Sequence, residues 1–231
     1  MQTPKLPDGA RRRLIAGLGG LPALLATPAW AQAAATRVAL VVGNAAYARS
    51  PLLNPGRDAR AMAELLRSLG FQVIEERDAD LQRLNAAIDR TAAALAGKQG
   101  IGLLYYAGHG LQIDWRNYML PVDIRIEAAA DVPRQGLDVQ RVLKAFQGAG
   151  TRMNILVLDA CRDNPFGPQT GVRGLAPMDA PPGTFFAYAT APGNVAEDGS
   201  EADGNGLYTR FLLQELKRPE ARIEDVFKRV R

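Results

Sequence analysis

GIGLLYYAGHG, residues 100–110, and MNILVLDACRD, residues 153–163, decide the fold. Each opens on a nearly unbroken apolar run and ends in small or polar residues. A strand buried on both faces reads this way, because neither side alternates toward water. RVALVV, residues 37–42, has the same character and ends at Gly43-Asn44. Phe71 to Glu75 and Thr184 to Ala189 read as two further strands. Helical patterns lie between them. Met62, Leu65, Leu66 and Leu69 recur at helical spacing over 58–69, and Gly70 stops that helix. Leu81, Leu84, Ile88 and Leu95 mark a second helix. Val139, Val142, Leu143 and Phe146 mark a third, with Asp138 placed to cap it. Residues 206–217 and 222–231 read as helices, and Leu111 to Leu120 as a hairpin flap turning at Asp114-Trp115-Arg116. Alternation of apolar strands with helices implies a three-layer α/β sandwich, its central sheet mostly parallel and covered on both faces.

The chain has one histidine and one cysteine among 231 residues. His109 and Cys161 each directly follow one of the two deciding strands. Ligands of open α/β sheets bind outside the carboxyl ends of the strands, so neighbouring strands would deliver both residues to one rim. A neutral imidazole there can take the thiol proton, and the thiolate is the nucleophile. Gly108 and Gly110 flank the histidine and let the backbone approach a substrate. The amides of Gly110 and Cys161 could form an oxyanion hole. Taken singly, a strand-end cysteine is commonly a small buried hydrophobe and a loop histidine a hydrogen-bonded turn residue. Two strand ends and the flanking glycines together favour a catalytic pair. No side chain stands out as a third member, which leaves a backbone carbonyl to orient the imidazole.

Composition is that of one globular domain, with 47% hydrophobic and 23% charged residues. Arg11, Arg12 and Arg13 precede a mildly apolar run from Leu14 to Ala26, followed by Ala29-Trp30-Ala31. This is the three-part pattern of an export signal, here of twin-arginine type. The apolar run is shorter than the roughly 20 residues of a membrane-spanning helix. Residues 1–31 are therefore expected to be a signal peptide, 32–36 a linker and 37–231 the domain, with an exported protein as the result. An uncleaved amphipathic N-terminus, or an anchor that stays in the membrane, is the plainer alternative. Lys5 and the three arginines against Asp8 give the leader +3 of the net charge of +4, leaving +1 for the remainder. The basic pI of about 9.4 is thus no argument for nucleic-acid binding. One Cys and one His are too few for an internal disulfide or a zinc site. Gly43-Asn44 is not followed by a phosphate-binding G-x-G-x-x-G or G-K-[ST] loop. The helical pattern running to Arg231 has no cap, so the C-terminal end is expected to be missing.

YYAGHG (105–110) and DACRD (159–163) resemble the His and Cys motifs of the caspase superfamily. His109 precedes Cys161 by 52 residues, close to the spacing of about 50 in caspases. YATAPG (188–193) is similar to the stretch leading to the caspase substrate strand. VVGNAAY (41–47), PLLNPGRDA (51–59) and YMLPVD (118–123) resemble the metacaspase-like and prokaryotic branch. The likeness covers about residues 37–218. It implies a cysteine endopeptidase acting on protein or peptide substrates, as a monomer; the charge balance and the short apolar run are the grounds for expecting no nucleic-acid partner and no integral membrane span in the mature chain. Such peptidases bind an extended substrate by strand addition, here near residues 192–198.

Departures from animal caspases are informative. Asp159 stands where they carry Gln. Glu197-Asp198 falls where their substrate strand carries Trp-Arg, and Asp58 aligns with an acidic residue of metacaspase specificity pockets. The resemblance therefore implies an acidic pocket of Asp58, Asp159 and Asp198 that selects Arg or Lys. Plainer readings are that Asp58 caps its helix, Asp159 caps a helix after Cys161, and Asp198 sits in a solvated turn. The Gly- and Pro-rich stretch 167–182 contains Arg173, the candidate for autocleavage against an uncut surface loop. Metacaspases are often calcium-dependent. Asp198, Glu201 and Asp203 read more simply as a solvated turn, so no cofactor is expected. A catalytically silent interaction module is the alternative function, and retention of both His109 and Cys161 argues against it. A cysteine hydrolase of another kind, such as an amidase, shares the residues but not the paired motif blocks.

Overall fold

The computed structural model describes residues 35–161, 175–189, 204–219 and 221–231, and for Cys161 the backbone only. Five parallel strands form its centre: β1 (Arg37–Gly43), β2 (Gln72–Arg77), β3 (Ile101–Ile113), β6 (Met153–Cys161) and β7 (Thr184–Tyr188). Their spatial order is β2-β1-β3-β6-β7. β4 (Arg116–Met119) folds back antiparallel on the far end of β3, and the two-residue β5 (Leu137–Asp138) pairs with β4.

Helices cover both faces, as the alternation implies. β1 buries Val38, Leu40 and Val42 on one face with Leu84 and Ile88 of α2 (Leu81–Leu95) and Phe146 of α4 (Val139–Gly148). Its intervening residues Ala39 and Val41 face α1 (Pro55–Ser68), α5 (Leu207–Leu216) and α6 (Ile223–Val230), which contribute Met62, Leu212 and Val226. A smaller cluster of Leu111, Tyr118, Leu120 and Val132 lies beneath the β4 hairpin and the single-turn α3 (Val132–Gln135). No helix among the described residues is long and apolar enough to cross a membrane.

Local chemistry accounts for the element ends. Pro55 starts α1, three residues before Asp58, because its fixed φ suits the first helical position. Asp138 caps α4 as read from the sequence, accepting the Gln140 amide proton at 2.9 Å. The β3–β4 turn places both Asp114 (φ 48°) and Trp115 (φ 63°) in the left-handed region. Two-residue hairpins need that twist, and the cost of a bulky residue there is borne by the ladder.

The principal difference from the sequence reading concerns β3. It continues through Ala-Gly-His-Gly to Ile113, so His109 lies inside a strand rather than in the loop after one. β1 ends opposite Ala107, but β6 keeps pairing as far as His109↔Cys161, and β4 takes over from Gly110. Partner strands, not propensity, hold this glycine-rich segment extended. β2 starts one residue later than expected and ends two later, at Arg77, while β5 and α3 have no strong local signal.

Gly43 closes β1 against the start of α1. A Cβ there would stand 2.3 Å from the Pro55 carbonyl oxygen and 2.6 Å from Ala59 Cβ. Both atoms belong to a packed helix, so neither yields cheaply. Gly43→Ala is expected to cost about 2–3 kcal/mol of stability. Urea unfolding of the two proteins checks this; equal midpoints would contradict it.

Candidate active site

His109 is 4% exposed. Its Nε2 lies 2.7 Å from the carbonyl oxygen of Ser50. A carbonyl only accepts, so Nε2 carries the proton of the neutral ring and Nδ1 is the basic nitrogen. Ser50 itself has φ 53°, in the left-handed region that costs a non-glycine residue about 1 kcal/mol or more. The loop holding it there is anchored at its base. Ala45 and Ala46 donate their amides to Asp78 Oδ1 at 2.8 and 2.9 Å. Buried Asn44 donates to the carbonyls of Ala79 and Leu120 and accepts from the Ala79 amide. The orienting carbonyl expected from the sequence is thus Ser50, a residue with no sequence signal of its own.

Register supplies the second member. His109 of β3 pairs directly with Cys161 of β6, on strands about 4.8 Å apart. Gly110 stands opposite Met119 on the other flank, while the Leu120 amide donates to the His109 carbonyl at 3.1 Å. Bonded and non-bonded pairs alternate in an antiparallel ladder, so Gly110–Met119 is a non-bonded pair. The Gly110 amide accordingly points away from β4, toward the side on which β6 lies.

Asp58 and Asp159 are both tied to the start of α5, and Asp159 also bonds the Tyr105 hydroxyl. Asp159 Oδ2 accepts from Thr209 Oγ1 at 2.6 Å and from Tyr105 at 3.3 Å. Tyr105 and Thr209 are also within hydrogen-bond distance of each other. Burial raises the Tyr105 phenol well above its usual range, and the charges of Asp159 and then Asp58 add to that. Burial likewise pushes up Tyr208, with a contribution from Asp159. Asp58 is 3% exposed, and its Oδ1 accepts from Asn205 Nδ2 at 2.8 Å and from the Gly206 amide at 2.9 Å. The plain helix-cap reading needs correcting. Asp58 lies within the first turn of α1, whose N-cap is Asn54, and its carboxylate serves instead the start of α5. Asn205, Thr209 and Tyr208 are therefore part of the carboxylate cluster, and their separation of about 150 residues from Asp58 hid them from the sequence. Asp198, Arg173, Glu201 and Asp203 lie outside the described residues.

A family model for the caspase domain matches residues 36–231. The chain belongs to the caspase-domain family. Curated relatives of this caspase domain include the human mucosa-associated lymphoid tissue lymphoma translocation protein 1, 32% identical over 182 residues. That match covers 78% of this chain and 22% of the human protein. The mouse homolog matches at 32% over the same length, covering 21% of its own. The chain thus spans about a fifth of the length of these relatives. Among solved structures, the Drosophila initiator caspase Dronc superposes with a TM-score of 0.59 at 15% identity. The superposition covers 84% of this chain and 70% of Dronc. It shows a shared caspase fold, a mostly parallel sheet between helical layers. The family is one of cysteine peptidases that act on protein substrates.

The bond to Ser50 has a direct spectroscopic consequence. With one histidine per chain, a 15N-histidine-labelled sample yields one imidazole pattern. It is expected to show the Nε2–H tautomer at neutral pH; a dominant Nδ1–H tautomer would contradict the Ser50 contact.

Proposed function

We propose that the caspase domain is a cysteine endopeptidase cleaving after Arg or Lys, with Cys161 as nucleophile and His109 as base. The observation carrying this reading is the register pairing of His109 with Cys161 while a carbonyl holds Nε2. Nδ1 then takes the thiol proton, and the thiolate attacks the scissile carbonyl carbon. The amides of Gly110 and Cys161 stabilise the oxyanion. The imidazolium returns its proton to the leaving amine, and water hydrolyses the acyl-enzyme.

Specificity follows from the two carboxylates. Asp159 lies on the strand that ends at Cys161, and the start of α5 bonds both it, through Thr209, and Asp58, through the Gly206 amide, so a basic side chain entering there would meet two anions. A guanidinium suits that arrangement better than a carboxylate does. Asp198 is proposed to join them, and cleavage after Arg173 to mature the chain. Residues 1–31 are proposed to be removed on export, the domain to act as a monomer, and catalysis to need no metal.

Fluorogenic peptides ending in Arg, Lys or Asp test the reading, with Cys161→Ala as control and with calcium or a chelator added. Turnover of the Arg and Lys peptides, abolished in the variant, is the expected result. Asp159→Asn is expected to lower kcat/KM for the Arg peptide about ten- to a hundredfold, as loss of a charge-assisted hydrogen bond implies. Preferred cleavage after Asp would overturn the pocket assignment. A folded protein turning over no peptide would favour a silent interaction module.

A further inference from the structure

Tyr47 meets His109 twice over. Its hydroxyl accepts the His109 amide proton at 3.0 Å. Its ring lies 4.5 Å from the imidazole, centroid to centroid, tilted by 48°. It also stands three residues before Ser50, in the loop whose carbonyl holds Nε2. We propose that Tyr47 is a positioning residue for His109: its hydroxyl completes the strand ladder at that point, and its ring sets the imidazole plane. The proposal builds on the reading of His109 as the base.

The ladder shows what the hydroxyl does. Gly110 pairs with Met119 and Leu111 with Tyr118, so the next position opposes His109 to Leu120. Two such residues in a plain antiparallel ladder would exchange both backbone bonds. One bond is made directly, from the Leu120 amide to the His109 carbonyl. The return path runs through Tyr47, which takes the His109 amide proton and donates to the Leu120 carbonyl at 3.0 Å. A tyrosine hydroxyl is inserted where a ladder bond would be. Tyr106 closes the same square, accepting from the Leu120 amide at 3.1 Å and donating to the His109 carbonyl at 2.6 Å. Each hydroxyl has one proton, and each proton has a carbonyl to go to. Burial raises the Tyr47 phenol, so it keeps that proton across the neutral range.

Gly108 makes room for the arrangement. A Cβ at this position would stand 2.8 Å from both the Tyr47 and the Tyr106 hydroxyl oxygens. The glycine before the histidine therefore serves the tyrosine pair beneath the strand as well as any approach of substrate. Phenylalanine at 47 would keep the ring contact and leave a buried His109 amide without its acceptor. An unmet buried donor is expected to drag the strand, and the ring with it, toward another geometry.

The test uses the full chain labelled with 15N-histidine, and compares the original protein with Tyr47→Phe and Tyr47→Leu. Tyr47→Phe is expected to fold, to lower kcat about tenfold at unchanged KM, and to shift the imidazole 15N pattern away from pure Nε2–H. Its His109 amide should exchange with solvent at least about tenfold faster. Tyr47→Leu should lower kcat further, because the ring is lost too. Unchanged kcat and an unchanged imidazole pattern in Tyr47→Phe would overturn the proposal. So would rapid exchange of the His109 amide in the original protein, a reading that stands even if neither variant folds. Failure of all peptide turnover would instead count against the endopeptidase reading, while the imidazole and exchange data would still judge Tyr47.

Discussion

β3 changes neighbours along its length: it lies between β1 and β6 as far as Ala107, keeps β6 as far as His109, and pairs with β4 from Gly110 onward. The arrangement of the site depends on this handover from β1 and β6 to β4. Backbone amides and carbonyls buried at the centre of a domain need partners, and β3 finds them on different neighbours along its length. The change of neighbour happens where His109 sits. At that point the strand has lost β1 and has only just met β4. Side chains fill the gap: Tyr47 bridges the His109 amide and the Leu120 carbonyl, Tyr106 donates to the His109 carbonyl, and Asn44 donates to the Leu120 carbonyl. The imidazole of His109 is thereby placed in a paired strand rather than in a loop.

That placement has electrostatic consequences. The Ser50 carbonyl settles which nitrogen of His109 is basic, and a strained φ at Ser50 is held by a loop tied to Asp78. Asp159 is two residues before Cys161 on β6 and shares the Tyr105 hydroxyl with Thr209. Carboxylates so bonded keep a defined direction, which a solvated surface acid would lack. The start of α5 contributes to this twice, through the Gly206 amide on Asp58 and Thr209 on Asp159. A helix N-terminus next to two anions is the favourable orientation of its dipole. α5 therefore belongs to the carboxylate cluster as well as to the core.

Strand and helix identity was legible wherever the apolar pattern was long. β1, β3 and β6 are continuous apolar runs, and α2 and α4 show their spacing plainly. The segment Ala107–Gly110 was legible as chemistry but not as structure, since glycines and histidine have little preference for a strand. β5 and α3 are two and four residues long, too short for any periodicity. Asp58 was legible as an acid worth noticing, yet its partners Asn205 and Gly206 are far along the chain. Only packing of α1 against α5 brings them together.

The sequence by itself determined the layer architecture, the two strands that carry the sole histidine and the sole cysteine, and the motif blocks around them. Those are properties of local pattern, because burial on both faces writes itself into consecutive residues. Tertiary structure alone decided that His109 and Cys161 stand in register, that Ser50 selects the basic nitrogen, and that Tyr47 completes the ladder. The reason is physical. A hydrogen bond to a backbone carbonyl, or a hydroxyl inserted between strands, depends on where the chain returns in space, and side-chain identity does not encode that return.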